Sequence, residues 1–187
     1  MPRSTKGEIQ AALLELLEQK PLDEITVTEL VERCGISRQA FYYHFSDLYG
    51  VVDWGLQQEM EKLQDIRPDQ WWTVMQQTME RLRNHRTVVL NIYRAYERSY
   101  VEHYLCRWLL PPIRAKVEET AKNHRVTPQQ EQFVTQLCAQ GLASVVLRWV
   151  DRGMPQNSVD WLEDFYAIMD GSMDFMLERL AQRRQKN

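Results

Sequence analysis

Two helix starts set close together constrain this chain more than any other feature. Thr26-Val27-Thr28-Glu29 fits the capping-box pattern: the Thr26 hydroxyl can accept the Glu29 backbone N–H, and the Glu29 carboxylate can reach back to the Thr26 backbone. Ile25 and Leu30 flank that start as a hydrophobic staple. Val27, Leu30, Val31 and Cys34 then share one helical face. Gly35 follows, where a left-handed C-cap costs glycine little. Ser37 caps a second helix almost at once, with Ile36 and Phe41 repeating the staple. Ala40, Phe41 and Phe45 can pack inward. Two short helices joined by a turn containing glycine form a helix-turn-helix pattern.

In that motif the second helix enters the major groove of DNA, with its N-terminal residues at base edges. The side chains left on its outer face suit the task. Gln39 can contact adenine in bidentate fashion, and Arg38 can contact guanine or a phosphate. Ala40 and the tyrosine rings can touch a thymine methyl. Thr26, Thr28, Ser37, Tyr42, Tyr43 and His44 can donate to phosphates, which position a protein without reading sequence. Capped short helices alone fit a structural three-helix subdomain equally well. The dense Tyr42-Tyr43-His44-Phe45 run directly after Ser37-Arg38-Gln39 favours the DNA-reading alternative.

Residues 8–52 resemble the N-terminal domain of the TetR family of transcription regulators. The likeness rests on Ile25-Thr26-Val27 at the start of the second helix, Cys34-Gly35-Ile36-Ser37 at the turn, and Phe41-Tyr42-Tyr43-His44-Phe45 closing the recognition helix. Val51 stands where the family keeps an apolar residue in the fourth helix. The resemblance implies operator binding as a dimer, usually to repress. One position departs from the pattern. Where the family commonly has a phosphate-contacting lysine, near the start of the fourth helix, this chain has Leu48. Fewer phosphate contacts imply a weaker dependence on salt.

Charge works against the same reading. Residues 1–50 hold five Lys and Arg against eight Asp and Glu, whereas a DNA-binding head is normally basic. Glu15, Glu18, Asp23, Glu24 and Glu32, however, fall outside the proposed reading helix. Arg3, Lys6, Arg38 and the helix N-termini can still face phosphate. Weak non-specific binding and a modest salt slope are therefore expected. Arg3, Ser4, Thr5 and Lys6 fit a DNA contact and a frayed terminus equally well.

The rest of the chain reads as helix. An apolar stripe of Ile9, Ala12, Leu13, Leu16 and Leu17 marks a first helix over 4–18, stopped at Lys20-Pro21. Ser46 or Asp47 can cap a fourth helix reaching about Arg67, before Pro68. Helices follow over 69–83, 85–97 and 98–123, with Pro111-Pro112 expected to break or kink the last. Thr127-Pro128-Gln129-Gln130 is a clean start for a helix to Arg152, which Gly153 and Pro155 end. Ser158 can cap a final helix to about Gln182. With 44% hydrophobic residues, 7 Gly and no alternating pattern, the fold class is all-α: a three-helix head, residues 1–50, and a helical-bundle regulatory and dimerisation domain, residues 51–187.

The aromatic residues of the body suggest a ligand wall. Tyr93, Tyr96, Tyr100 and Tyr104 follow helical spacing, and Trp71, His103 and Trp108 can join them. The same spacing fits ordinary core packing. His103 and Cys106 lie three apart, but two candidate ligands do not make a structural zinc site, and no metal or cofactor is expected. His85, His103 and His124 have no acidic or thiol partner at a telling spacing, so no enzyme is expected. The N-terminus lacks the apolar core of a secretory signal, and no run of 18 apolar residues predicts a membrane span. Three widely spaced cysteines, Cys34, Cys106 and Cys138, fit reduced thiols in a cytoplasm.

Helices 128–152 and 158–182 carry wide apolar faces. Phe133, Leu137, Gly141 and Val145 stripe the first, with Val134, Cys138 and Leu142 alongside. Trp161, Phe165, Ile168, Met169, Ser172, Phe175 and Met176 stripe the second. In a two-fold dimer they would form a four-helix bundle, although the same faces could also bury within one body. The phrase Leu147-Arg148-Trp149-Val150-Asp151-Arg152-Gly153-Met154-Pro155 further resembles TetR-type regulators similar to dihydroxyacetone kinase operon activators. The expected molecule is a cytoplasmic homodimer that binds double-stranded operator DNA under a small-molecule or protein effector. The alternative is a helical adaptor controlled by another protein, without a small-molecule pocket. Effector, operator and the sign of regulation are not encoded in any of these patterns.

Overall fold

The computed structural model describes residues 5–62, 67, 69–155 and 160–185, without the side chains of Trp71, Asp160, Leu162, Asp170, Arg184 and Gln185. Arg3, Ser4, Pro68, Ser158 and the expected last turn of the fourth helix thus lie outside the described residues. Every regular element among those described is helical: α1 Thr5–Leu17, a 3-10 turn Leu22–Glu24, α2 Val27–Cys34, α3 Arg38–His44, α4 Leu48–Glu61, α5 Trp71–Asn84, α6 Arg86–Tyr93, α7 Arg98–Ala121, α8 Pro128–Asp151 and α9 Asp160–Gln185.

Packing divides the chain into two compact units that do not follow chain order. The first, the head, contains α1 to α4 together with α6 and the residues after it to Glu97; the second, the body, contains α5, α7, α8 and α9. In the head, Ile9, Leu13 and Leu17 of α1 meet Leu30 and Val31 of α2, Phe41 of α3 and Val51 of α4 in one core. Val88 of α6 joins that core. Asn91 fixes the attachment: this buried amide donates to the Leu17 carbonyl at the end of α1, over 2.9 Å. A buried amide left without that acceptor would bear its full desolvation cost, so the bond specifies where α6 sits.

The body is built on α7 against α8. Leu109, Pro112, Ile113 and Val117 of α7 and Val134, Cys138, Leu142, Val146 and Trp149 of α8 are buried in its interior. α7 runs as one helix through Pro111-Pro112, where the sequence predicts a break or a kink; no break is present. Two prolines remove two backbone donors, but Pro112 is buried with Leu109 and Ile113, and this packing holds the helix together. Burial raises the Cys138 thiol to about 11, which leaves it an inert core residue. α8 is also long and apolar enough to cross a membrane, although no run of 18 apolar residues marks it; 56% of its most apolar window is buried inside the protein, as in the core helix of a bundle.

Local signals set several helix ends. Thr127 and Gln130 form a reciprocal capping box at the start of α8. Gly153, at φ 77°, and Met154, at φ 54°, turn the chain at its end, and Met154 is fully buried there. Within α9, Gly171 takes φ 82°, a left-handed conformation that glycine alone adopts cheaply.

Candidate nucleic-acid interface

The helix-turn-helix is present as its caps dictate. Thr26 Oγ1 accepts from the Glu29 N–H at 3.2 Å, and Ser37 Oγ from the Ala40 N–H at 3.1 Å. Gly35, at φ 66°, ends α2 in the left-handed region, and the Ile36 N–H closes back on the Val31 carbonyl. Asp47 caps α4 through the Gly50 N–H. The expected capping box at Thr26 is only half made. The Glu29 carboxylate turns instead to Lys20 Nζ, 2.7 Å away, because an ion pair outbids a neutral backbone donor. The Lys20 ammonium beside it lowers the Glu29 carboxyl below its ordinary value.

α3 presents a polar and aromatic outer face. Phe41 is wholly buried and Phe45 nearly so, whereas Tyr42 is 57% and Tyr43 84% exposed. Ser37, Arg38 and Gln39 are exposed at its start, with Thr26 exposed on the neighbouring helix; Thr28, Ala40 and His44 are half-buried. The structure therefore brings all nine candidate DNA-contacting residues onto or beside α2 and α3. The Thr26 and Ser37 oxygens are used as caps, but each hydroxyl still has its proton to donate. Arg38 donates to the Thr28 hydroxyl, which fixes the guanidinium at the N-terminal end of the recognition helix.

Several acidic side chains of the head are paired away from α3. Lys20 meets Glu29, Arg33 meets Glu15 at 2.8 Å, and Lys62 meets Glu59. A second cluster was hidden in the sequence. Tyr49 donates to Asp23 at 2.8 Å, which holds its phenol protonated above the ordinary tyrosine range. The Tyr49 ring meets Tyr96 edge to face, and the Tyr96 hydroxyl donates to Asp53 at 3.1 Å. These bonds tie α4 to the segment after α6. No local pattern announces them, since the partners are far apart in sequence.

The same fold divides the aromatic set expected to form a ligand wall. α6 ends at Tyr93 and α7 begins at Arg98, so the tyrosines do not lie on one continuous helix. Tyr93 and Tyr96 belong to the head; Tyr100, His103, Tyr104 and Trp108 belong to the body. Tyr100 and His103 are exposed, and Tyr104 and Trp108 are half-buried. The side chain of Trp71 lies outside the described residues, while its neighbour Trp72 stacks on Tyr166 at 4.4 Å between ring centroids. His124, which has no acidic partner at a telling spacing in the sequence, finds one through the fold: its Nε2 lies 2.7 Å from Asp174 on α9. His85 similarly lies 3.7 Å from Glu18.

Comparison with known proteins agrees with this architecture. Residues 9–50 match the family described as bacterial regulatory proteins, tetR family, and residues 69–171 match the family described as transcriptional regulator C-terminal region. The "uncharacterized HTH-type transcriptional regulator YxbF" of Bacillus subtilis (strain 168) is 30% identical over 53 residues, 28% of this chain and 14% of that protein. A solved structure, "dihydroxyacetone kinase operon activator DhaS", has the same fold, with a TM-score of 0.71 over 95% of this chain and 98% of that one at 16% identity. Head and body together show that the chain belongs to the TetR family of transcriptional regulators, which are not enzymes.

Proposed function

We propose that this regulator binds a near-palindromic operator as a cytoplasmic homodimer and that an effector controls the binding. The observation that carries the reading is the outer face of α3, where Arg38, Gln39, Tyr42 and Tyr43 are exposed while Phe41 and Phe45 anchor the helix from below. Two copies of α3 would enter successive major grooves, with half-sites one turn or a multiple apart. Residues 1–50 would serve as the DNA-binding domain, and residues 51–187 as the regulatory and dimerisation domain.

The dimer reading rests on two apolar rows. On α8, Val134, Cys138 and Leu142 are buried, but Phe133 and Leu137 are 59% and 49% exposed. On α9, Ile168 and Phe175 are 66% and 59% exposed. Two such rows on adjacent helices supply the face of an isologous four-helix bundle. Half-buried Tyr104 and Trp108 on α7 offer apolar wall with polar tips for a small-molecule effector. An effector acts only through its differential affinity for the DNA-binding and non-binding states.

Selection of fragments from the source genome with purified protein, at two salt concentrations, tests the reading. One palindromic site should be enriched, and Gln39→Ala and Tyr42→Ala should lose or relax it. Absence of enrichment at low salt would remove sequence-specific DNA binding from the account.

A further inference from the structure

Leu48 takes the place of a lysine that the family resemblance assigns to phosphate contact, and the structure buries it in the head core. An aliphatic side chain has no donor, so the start of α4 offers no cation there. Asp47, beside it, is committed to capping Gly50. A different lysine stands close by. Lys6, in the first turn of α1, holds its ammonium 5.5 Å from the centre of the Phe45 ring. Phe45 is the residue that ends the recognition helix, and its ring is fixed by Phe41 and, edge to face, by Trp54. A cation over an aromatic face is attracted by the ring quadrupole, so this contact positions Lys6 without neutralising it.

The ion pairing of the head isolates Lys6 further. Lys20, Arg33 and Lys62 each spend their charge on a carboxylate. Lys6 and Arg38 have no carboxylate partner among the described residues, and they stand at opposite ends of α3: Arg38 opens the helix and Lys6 lies over the residue that closes it. In a helix-turn-helix the flanks of the reading helix meet the sugar-phosphate backbone, and cations there set register and affinity without reading bases. We propose that Lys6 is a positioning residue that supplies the phosphate contact Leu48 cannot make. With Arg38 it brackets the recognition helix against the backbone. The proposal rests on the DNA-binding reading of α3.

The test is the salt dependence of binding to a duplex of about 30 base pairs carrying the selected operator, and to a scrambled duplex of the same length. Lys6→Met keeps the stem over Phe45 and removes the charge. Lys6→Arg keeps the charge. Lys62→Met removes a cation already paired with Glu59 and serves as the control. Each phosphate contact contributes about 0.9 to the slope of log affinity against log salt, so loss from both protomers lowers it by about 1.8. The expected result is that drop for Lys6→Met on both duplexes, with unchanged helical circular dichroism. Lys6→Arg and Lys62→Met should keep the wild-type slope. A wild-type slope in Lys6→Met overturns the proposal and leaves the reading of α3 intact. A wild-type protein that binds neither duplex overturns both.

Discussion

In the head, Phe41, Leu30 and Val51 are fully enclosed, and apart from Leu14 the large exposed side chains are tyrosines with a polar tip. In the body, α8 and α9 bury one apolar row and leave Phe133, Leu137, Ile168 and Phe175 about half or more uncovered. The contrast separates two kinds of surface. An exposed tyrosine offers a hydroxyl for hydrogen bonding and is at home in water or on a phosphate. An exposed Ile or Phe offers nothing to water and gains only from being covered. The head thus has a closed core with a polar outer face, while the body carries an exposed apolar face, the one that the proposed dimer would cover.

The largest expected effect lies in the closed core. Phe41→Ala empties the centre of the head and should cost about 3–5 kcal/mol. In a urea melt followed by circular dichroism, a much smaller loss would show that the head is less tightly closed than its burial indicates. The contrast predicts a different outcome for Leu137→Asp on α8. Helical content should be kept, while analytical ultracentrifugation should show dimer association weakened by roughly 2 kcal/mol or more, about 30-fold. A dimer of unchanged affinity would move the interface away from α8.

A smaller effect tests the backbone of the body. Alanine normally stabilises a helix interior relative to glycine by about 0.8–1 kcal/mol. At Gly171, with φ 82°, a Cβ should instead cost about 1–2 kcal/mol. A Gly171→Ala protein that melts higher than wild type would contradict that conformation.

The smallest effect belongs to the half-buried Lys20–Glu29 pair. The folded Glu29 pKa lies below its ordinary value of 4.5. Its contribution is therefore fully present above about pH 4.5 and is lost as pH falls through the lower, folded value. Lys20→Met should flatten that part of the acid limb in stability measurements, and an identical limb in the variant would assign it to other carboxylates.

Local chemistry made the head legible. Thr26, Gly35, Ser37 and Asp47 each act within a few residues of themselves, so the helix ends could be placed from spacing alone. The same locality explains what stayed hidden. Asn91 finds its acceptor at Leu17, His124 finds Asp174, and Lys6 finds Phe45, all by tertiary folding. Glu29 chose Lys20 over its local backbone partner for the same reason. The spacing of the tyrosines from Tyr93 to Tyr104 runs across the helix end expected near residue 97, and α6 and α7 divide the set there. At Pro111-Pro112 the expected break is absent, because packing on the body carried the helix through a local stop signal.

The central claim is that α3 reads bases through its exposed N-terminal residues. The most direct measurement is the affinity of wild type and Gln39→Ala for the selected operator, with each half-site base pair changed in turn at fixed salt. Wild type should lose about 1–3 kcal/mol at one adenine-containing pair, and Gln39→Ala should lose discrimination at that pair alone. Equal discrimination at every position in both proteins would contradict base reading by α3.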